Sequence, residues 1–454
     1  MKRLIVAALA ALLAAGSAGA APSTGGKPAS ETLRFVNASW WDGQGFRTGE
    51  RYVRDGVFVS RAPAARTIDL GGAWVVPPFG EAHNHNLDAP FMARAVSDQY
   101  LANGVFYVKN PNSRFAFTPQ ARPLLNRQDT VDVIFSMGGI TAEGGHPIRL
   151  YGFLSRFSGP PRPGESFEGD AFHLVRTEAD IGPVLDRLKA QGADFIKTYL
   201  LHSEHYAARR DDKGFYGLKG LDPALYPRVV AEAHRRGLKV SVHIETAADF
   251  RVAVAAGVDE INHLPGYMWE PAETEADYRL TPADARAAAR ARVVVVTTTV
   301  VTEGMQMPRE RKARVQALQV ANLKTLHAAG VRLAIGSDNY MATSRAEADH
   351  LIRLGAFDGP TVLRLWIETP RLAIFPNRRI GCLKVGCEAD FLVLRADPLK
   401  DFAATADIAG AWKDGRPLTL VARQPTVMPG PTGGGHVHGE LSPSDGGASQ
   451  TCRI

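Results

Sequence analysis

The sequence has few cysteines and, after its first residues, no long apolar run. Only 3 of its 454 residues are cysteine, which excludes a small fold held together by many disulfides. Beyond residue 21 no segment approaches the roughly 20 consecutive apolar residues that a membrane-spanning helix needs. Neither sign of charge dominates, since 53 Lys and Arg are scattered among 47 Asp and Glu, and this balance argues against a nucleic-acid partner.

The first twenty residues are typical of a signal peptide. Lys2 and Arg3 precede an apolar run over 4–15, and small residues fill 18–20. We predict export to the periplasm, with secretion to the outside as the alternative, and a mature chain without a membrane span. The cysteines leave the redox state open, because an oxidising compartment permits one bridge with one thiol left over, and three unpaired thiols fit equally well.

The order of short and long segments predicts two folded units. Residues 33–72 and 376–422 consist of short strand-like pieces separated by turns, so we expect them to pair in a small β-sandwich domain built from both segments. Within 73–375, eight buried-strand candidates alternate with helical segments that end in glycine. This alternation predicts an α/β fold, a (β/α)8 TIM-type barrel. The glycine-, proline- and serine-rich segment 425–454 is predicted to be a flexible tail.

Polar residues follow the predicted barrel strands, at the end where such barrels place their chemistry. His83 and His85 are two residues apart in EAHNHN, so on an extended chain both imidazoles point to one side and can share a metal ion. Four further strands carry one more candidate ligand each: Lys197 lies inside ADFIKTYL, and the strand ends VSVHIE, EINHLPG and AIGSD contain His243, His263 and Asp338. Histidines near strand ends are usually structural, but six such residues in this order indicate a metal site.

Lys197 decides between one metal ion and two. It follows apolar residues in a segment that should be buried, where a charged lysine is costly unless it is paired or neutralised. A neutral amine can react with carbon dioxide, and the resulting carbamate can bridge two cations. A structural ion pair, or a side chain that extends to solvent, is the alternative at this position.

In combination these segments resemble the amidohydrolase superfamily, in particular its imidazolonepropionase-like and prolidase-like branch. VVPPFGEAHNHN is similar to the first metal motif of that family, and GADFIKTYL is similar to its carboxylated-lysine strand. GLKVSVHIETAADFRVAVAAGVDEINHLPG resembles its paired-histidine segment, and GVRLAIGSD resembles its aspartate strand. The likeness extends over residues 33–420.

The resemblance implies two divalent metal ions, with zinc favoured over Mn, Fe or Co. It places the six candidates as follows: His83, His85 and Asp338 on one ion, His243 and His263 on the other, and carboxylated Lys197 bridging both. Two segments depart from the family text, namely Pro-Phe-Gly-Glu-Ala before the first histidine and the loop LHSEHYAARRDDKGFYGLKG after the lysine. Because that loop should line the substrate pocket, the substrate cannot be transferred from relatives.

Three further residues near the strand ends are candidates for the substrate pocket. His146 in TAEGGHPIR is similar to a Gly-Gly-His that faces the substrate carbonyl in the prolidase-like branch, and a solvated loop histidine is the alternative. Tyr199 and His202 are weaker candidates for substrate binding.

These features predict an exported binuclear metal-dependent amidohydrolase with a small-molecule substrate. A metal-bridging hydroxide would attack the carbonyl of an amide or peptide-like bond, a cyclic amide or an ester. Asp338 would take the proton of the attacking water and deliver it to the leaving group, and His146 would stabilise the oxyanion. The substrate, the metal identity and the choice between a monomer and a homo-oligomer stay open.

Two other functions fit parts of the sequence. A mononuclear deaminase on the same scaffold would use a glutamate near the strand-five histidine, and Glu245 follows His243 by two residues rather than with the His-x-x-Glu spacing. A non-catalytic periplasmic ligand-binding protein would keep the barrel without turnover. Degenerate relatives usually lose a ligand, whereas this set is complete.

Overall fold

A computed structural model of the protein describes residues 31–157, 160–270 and 273–421. The expected signal peptide, the expected tail and Cys452 lie outside the described residues. Within the described ranges the chain forms two sheets of seven strands and one of three, with helices between the parallel strands. This topology confirms the predicted α/β fold, a TIM-type barrel with a β-rich domain from both flanking segments.

The strands and helices follow one another in the order that the alternation predicts. The strands are β1 (Leu33–Trp41), β2 (Phe46–Arg54), β3 (Val57–Val59), β4 (Arg66–Val76), β5 (Phe79–Glu81), β6 (Val105–Asn110), β7 (Asp132–Phe135), β8 (Gly139–Thr141), β9 (Phe172–Leu174), β10 (Ile196–Tyr199), β11 (Val240–His243), β12 (Glu260–Asn262), β13 (Val294–Val296), β14 (Arg332–Ala334), β15 (Phe391–Leu394), β16 (Ile408–Lys413) and β17 (Arg416–Leu418). The helices are α1 (Pro90–Ala102), α2 (Thr118–Ala121), α3 (Ile148–Leu154), α4 (Glu178–Ala190), α5 (Tyr206–Arg209), α6 (Tyr226–Arg235), α7 (Ala247–Ala256), α8 (Glu275–Tyr278), α9 (Pro282–Ala291), α10 (Val301–Gly304), α11 (Arg309–Ala328), α12 (Ser344–Arg353) and α13 (Gly359–Thr369).

The β-rich domain is one sheet with the strand order β17-β16-β15-β4-β1-β2-β3. Strand β15 pairs antiparallel with β4, so that Val393 lies opposite Val75. Phe58 on the edge strand β3 contacts Phe391 on β15 with ring centroids 6.0 Å apart, although three strands separate them in the sheet order. The sheet therefore folds over on itself, and Trp40 packs edge-on against both of these rings in its core.

The barrel consists of parallel strands that are buried on both faces. Strands β5, β6 and β7 form one sheet, and β8 and β10 to β14 form the other, with β9 paired to the edge of β8. Strands β7 and β8 are consecutive pieces of the third barrel strand, and residues 136–138 separate them. The ring closes where the Ala82 N–H donates to the carbonyl oxygen of Ile335 at 2.9 Å. Valine-rich strands such as β13 suit this position because both of their faces lack water.

The helices cover the barrel with one apolar face each. Helix α6 buries Tyr226, Val229, Val230 and Ala233, and Gly237 follows it with a left-handed φ of 76°. Among the described residues, no helix is long and apolar enough to cross a membrane.

Two short elements, α3 and β9, were not expected. They lie between β8 and α4, and β9, which pairs with β8, has only three residues, too few to show a periodic pattern in the sequence.

Candidate metal centre

A cavity of about 220 Å³ opens at the carboxyl ends of the barrel strands. Parallel strands bring their carboxyl ends to one face, so residues distant in the sequence meet there. All six predicted metal ligands line this cavity: His83, His85, Lys197, His243, His263 and Asp338.

The Asp338 carboxylate lies among three imidazoles. Its Oδ1 is 3.2 Å from His85 Nε2 and 3.7 Å from His83 Nε2, and its Oδ2 is 3.8 Å from His263 Nε2. Nitrogen and oxygen donors placed tetrahedrally at about 2.1 Å from a cation lie roughly 3.4 Å from one another. The observed separations therefore fit ligands that share cations.

Three of the four imidazoles also have a hydrogen-bond partner for one ring nitrogen, as is usual for metal-binding histidines. His85 Nδ1 lies 2.7 Å from a backbone carbonyl oxygen, and His263 Nδ1 lies 2.8 Å from a threonine hydroxyl. His243 Nε2 lies 2.9 Å from the Glu245 carboxylate, which also accepts a hydrogen bond from Tyr267. These hydrogen bonds fix the orientation of each ring. They occupy one ring nitrogen and leave the other nitrogen available to bind a metal ion.

His83 is buried at the floor of the cavity, with a side chain 2% exposed. Burial and the nearby positive charge of Lys197 hold the pKa of His83 well below its usual range, so the ring is neutral, which is the form that binds metals. His83 Nδ1 has no hydrogen-bond partner among the described residues. Ligand atoms of His83, His263 and Asp338 all lie within 4.8 Å of one another.

Lys197 is the second residue of strand β10, inside the barrel, and is 1% exposed. Its Nζ donates a hydrogen bond to Asn262 Oδ1 at 2.5 Å. Burial lowers the pKa of Lys197 to about 7, against the opposing effect of the Asp338 and Glu260 carboxylates. A neutral amine is thus accessible near neutral pH, and it lies beside imidazoles and a carboxylate, which are donors that divalent cations bind.

Two residues of the centre have left-handed backbone conformations, with φ of 75° at His263 and 43° at Asp338. Such conformations cost energy for residues other than glycine and concentrate at functional sites. They turn the chain sharply at the strand ends, so that both side chains enter the cavity.

Glu81 is a buried residue of the centre that the sequence analysis did not identify. It accepts hydrogen bonds from the backbone N–H and the hydroxyl of Ser337, both at 2.7 Å, and from the His83 N–H at 3.2 Å. Burial raises the pKa of Glu81 to about 8. The side chain joins the ends of β5 and β14, and its only sign in the sequence was the unusual Pro-Phe-Gly-Glu-Ala text.

The predicted substrate-binding residues divide into two groups. His146 and Tyr199 line the cavity, with their ring centroids 5.1 Å apart, and the His146 ring stacks on His243 at 4.9 Å. His202 is not among the lining residues, because the chain turns at its φ of 49° and its Nδ1 lies 2.9 Å from Glu273.

One wall of the cavity is apolar and comes from the segments after β6 and β8. Its side chains are Phe117, Leu150, Leu154 and Phe167. The Arg114 guanidinium lies 4.4 Å and 5.0 Å from the centroids of the two phenylalanine rings and forms an ion pair with an aspartate at 2.7 Å. Helix α3 supplies both leucines. Because this helix was not predicted from the sequence, the apolar wall was not predicted either.

Comparison with known proteins identifies the family. The sequence model of the amidohydrolase family matches residues 187–434. The chain is 25% identical to ochratoxinase of Aspergillus niger over 234 residues, which cover 50% of this chain and 46% of the relative. It therefore matches about half the length of that curated relative.

Solved structures share the fold. The crystal structure of A. niger ochratoxinase superposes with a TM-score of 0.65 at 17% identity and covers 86% of this chain and 95% of that chain. A prolidase complexed with N-methylphosphonate-L-proline gives a TM-score of 0.64 at 19% identity, covering 86% and 99%. A Xaa-Pro dipeptidase with bound methionine gives 0.65 at 16% identity, covering 85% and 99%. With the family match over more than half of its length, this chain belongs to the amidohydrolase family.

Proposed function

We propose that the chain is an exported, binuclear metal-dependent hydrolase that cleaves the carbon–nitrogen bond of a small amide. One observation carries the proposal: the Asp338 carboxylate lies among three imidazoles in a cavity that also contains the buried Lys197 amine. Membership of the amidohydrolase family supports it, as do similar proteins named ochratoxinase and prolidase.

The six cavity residues would hold two divalent cations. The proposed ligands are His83, His85 and Asp338 for one cation, and His243 and His263 for the other, with the Lys197 carbamate between them. Bound cations would polarise the substrate carbonyl and acidify the attacking water. Zinc is favoured, and Mn, Fe or Co accept the same donors.

Asp338 is the proposed proton carrier. Its two carboxylate oxygens lie 3.2 Å to 3.8 Å from the three imidazoles, where a water bound to the proposed cations would be within their reach. The carboxylate takes a proton from the water and delivers it to the leaving nitrogen, which is a poor leaving group without it.

His146 and Tyr199 are the proposed contacts to the substrate carbonyl. The His146 ring lies on His243 and beside Tyr199, so both polar groups border the metal centre. A hydrogen bond donated to the carbonyl oxygen becomes stronger as negative charge develops there, and it therefore lowers the barrier.

The wall and the volume of the cavity limit the substrate. At about 220 Å³ the cavity is smaller than the roughly 300–1,000 Å³ that holds a drug-sized ligand. Phe117, Leu150, Leu154 and Phe167 offer an apolar surface, so the proposed substrate is a small amide with an apolar group next to its scissile bond.

The deaminase alternative depends on Glu245, whose placement argues against it. The Glu245 carboxylate lies 2.9 Å from His243 Nε2 and accepts a hydrogen bond from the Tyr267 hydroxyl, and it is not among the residues that line the cavity. It is placed to orient His243 rather than to exchange a proton with a substrate. Ammonia release from aminopurines or aminopyrimidines would favour the deaminase.

Three measurements test the proposed hydrolase. We expect two metal ions per chain in the purified protein, and turnover of at least one compound in a panel of N-acyl amino acids, Xaa-Pro dipeptides, lactams and lactones supplied with Zn or Mn. We expect Lys197→Ala to be inactive and to recover partly with added short carboxylates, which replace the carbamate. Full activity in a metal-free preparation would contradict the proposal.

Export to the periplasm is part of the proposal. The signal-like residues 1–20 support it, and so does the disulfide between Cys382 and Cys387, since such bonds persist in oxidising compartments. Fractionation of cells that express the full chain should place the shortened protein outside the cytoplasm. A cytoplasmic protein of full length would contradict export without affecting the catalytic proposal.

A further inference from the structure

A chain of buried polar side chains leads away from Lys197 into the barrel. Lys197 Nζ donates to Asn262 Oδ1 at 2.5 Å, and the two side chains belong to residues that are 1% and 0% exposed. Asn262 ends strand β12 directly before His263, so it lies immediately below the candidate metal centre.

Glu260 determines which side of the Asn262 amide faces the lysine. Its Oε1 accepts hydrogen bonds from Asn262 Nδ2 at 2.9 Å and from the Ser241 hydroxyl at 2.8 Å. A carboxylate can only accept, so the NH2 group of the amide must face Glu260. The amide oxygen must then face Lys197.

Glu260 is itself fixed by a buried cation. Its Oε2 lies 2.9 Å from Lys109 Nζ, and the two side chains are 4% and 6% exposed. Lys109 Nζ also lies 4.3 Å from the centroid of the Phe195 ring. Neither member of such a pair can move away without leaving an uncompensated buried charge, so the pair is a rigid support.

We propose that Asn262 is a positioning residue that orients the Lys197 amine for carbamate formation, and that the buried Lys109–Glu260 pair fixes the orientation of Asn262. This inference rests on the proposed binuclear function. The amide oxygen accepts one N–H of the amine, which directs the nitrogen lone pair away from Asn262.

The chemistry of carbamate formation agrees with a neutral amide at this position. The Nζ lone pair attacks carbon dioxide, a nitrogen–carbon bond forms, one C=O π bond breaks, and one N–H proton passes to solvent water. The product keeps a single N–H, which continues to donate to Asn262 Oδ1. Because the carbamate is an anion, a carboxylate in place of the amide would repel it.

The test compares Asn262→Ala with wild type and with Thr198→Val. Thr198 is the buried neighbour of Lys197 on β10, and its hydroxyl pairs with Tyr226 rather than with the lysine. The readouts are the carbamate signal in ¹³C NMR after incubation with ¹³C-bicarbonate, and the metal content per chain. We expect Asn262→Ala to lose the signal and most of one metal equivalent, and Thr198→Val to keep both.

Asn262→Asp supplies a second variant of nearly identical shape, in case the alanine variant does not fold. It retains an acceptor beside Lys197 but adds the repelling charge, so we expect a folded chain without the carbamate signal. If either folded variant keeps the full signal and two metal ions while wild type has both, the role of Asn262 is overturned and the proposed function stands. A wild-type protein without a carbamate overturns both.

Discussion

The backbone N–H of Asp338 donates a hydrogen bond to the carbonyl oxygen of His83 at 2.7 Å. This bond joins the ends of the first and the last barrel strand at the floor of the cavity. Glu81 reinforces it, because its carboxylate accepts from both strand ends. The proposed proton carrier and one proposed ligand are therefore fixed relative to each other by the backbone and by a buried acid.

Replacing Asp338 by asparagine tests its proposed role as proton carrier. The amide keeps the shape of the side chain but cannot take a proton, so we expect kcat to fall by about 10² to 10⁴. The melting temperature should change little, because the backbone bond to His83 remains. Steady-state kinetics with parallel metal analysis measures this effect, and undiminished turnover in the loaded variant would contradict the assignment.

Gly336→Ala tests the close packing around the centre. A Cβ at Gly336 would lie 2.6 Å from a methyl carbon of Val296 and 2.8 Å from the backbone nitrogen of His83, so these groups would have to move. We expect lower metal content and a loss of most activity. Gly410→Ala is the matched control, because its Cβ would meet Val393 at an ordinary 3.8 Å. Equal metal content in the two variants would show that the centre tolerates the displacement.

His146→Ala and His202→Ala should behave differently. His146 lines the cavity, and the loss of one oxyanion contact typically lowers kcat by about 10² to 10³ without unfolding the protein. His202 is engaged with Glu273, so its removal should lower the melting temperature and leave kcat near the wild-type value. Kinetics and thermal unfolding of both variants measure the difference. A large decrease in kcat for His202→Ala would show that His202 acts on the substrate after all.

His350 should make stability depend on acidity. Burial lowers the pKa of His350 from 6.5 to about 4. Below pH 6.5 His350 is protonated in the unfolded chain but stays neutral in the folded chain. The free energy of unfolding therefore falls as pH falls towards 4, by on the order of 3 kcal/mol. His350→Gln removes this loss. Urea unfolding at pH 7, 5.5 and 4.5 should show the variant gaining on wild type as pH falls, and a constant difference would exclude His350.

The six residues that line the cavity as proposed ligands could be located from the sequence because their positions depend on local patterns. Each strand is a short apolar run, and apart from Lys197, which lies within its strand, the polar residue that follows the run marks the carboxyl end. His83 and His85 were identified from their two-residue spacing, and Asp338 was identified from its position after the apolar run AIG. In an eight-stranded parallel barrel the carboxyl ends of all strands lie on one face, so these residues were expected to lie close together.

The residues that support the ligands could not be predicted, because their partners are chosen in three dimensions. Glu260 and Asn262 are two apart and share a face, but nothing in the sequence indicates that Lys109 pairs with Glu260. His202 was expected in the pocket because it follows β10, yet the turn at this residue directs its ring to Glu273. Such outcomes depend on how loops pack, and no sequence period encodes that packing.

The pairing of β4 with β15 has a consequence for how the molecule is assembled. Val75 and Val393 lie opposite each other, but the whole barrel is synthesised between them. Contacts between such distant segments form slowly, and until they form, β4 presents an unpaired apolar edge to other chains. The β-rich domain can therefore be completed only after the barrel strands exist, and the time between these two events is when a newly made chain is most exposed to aggregation.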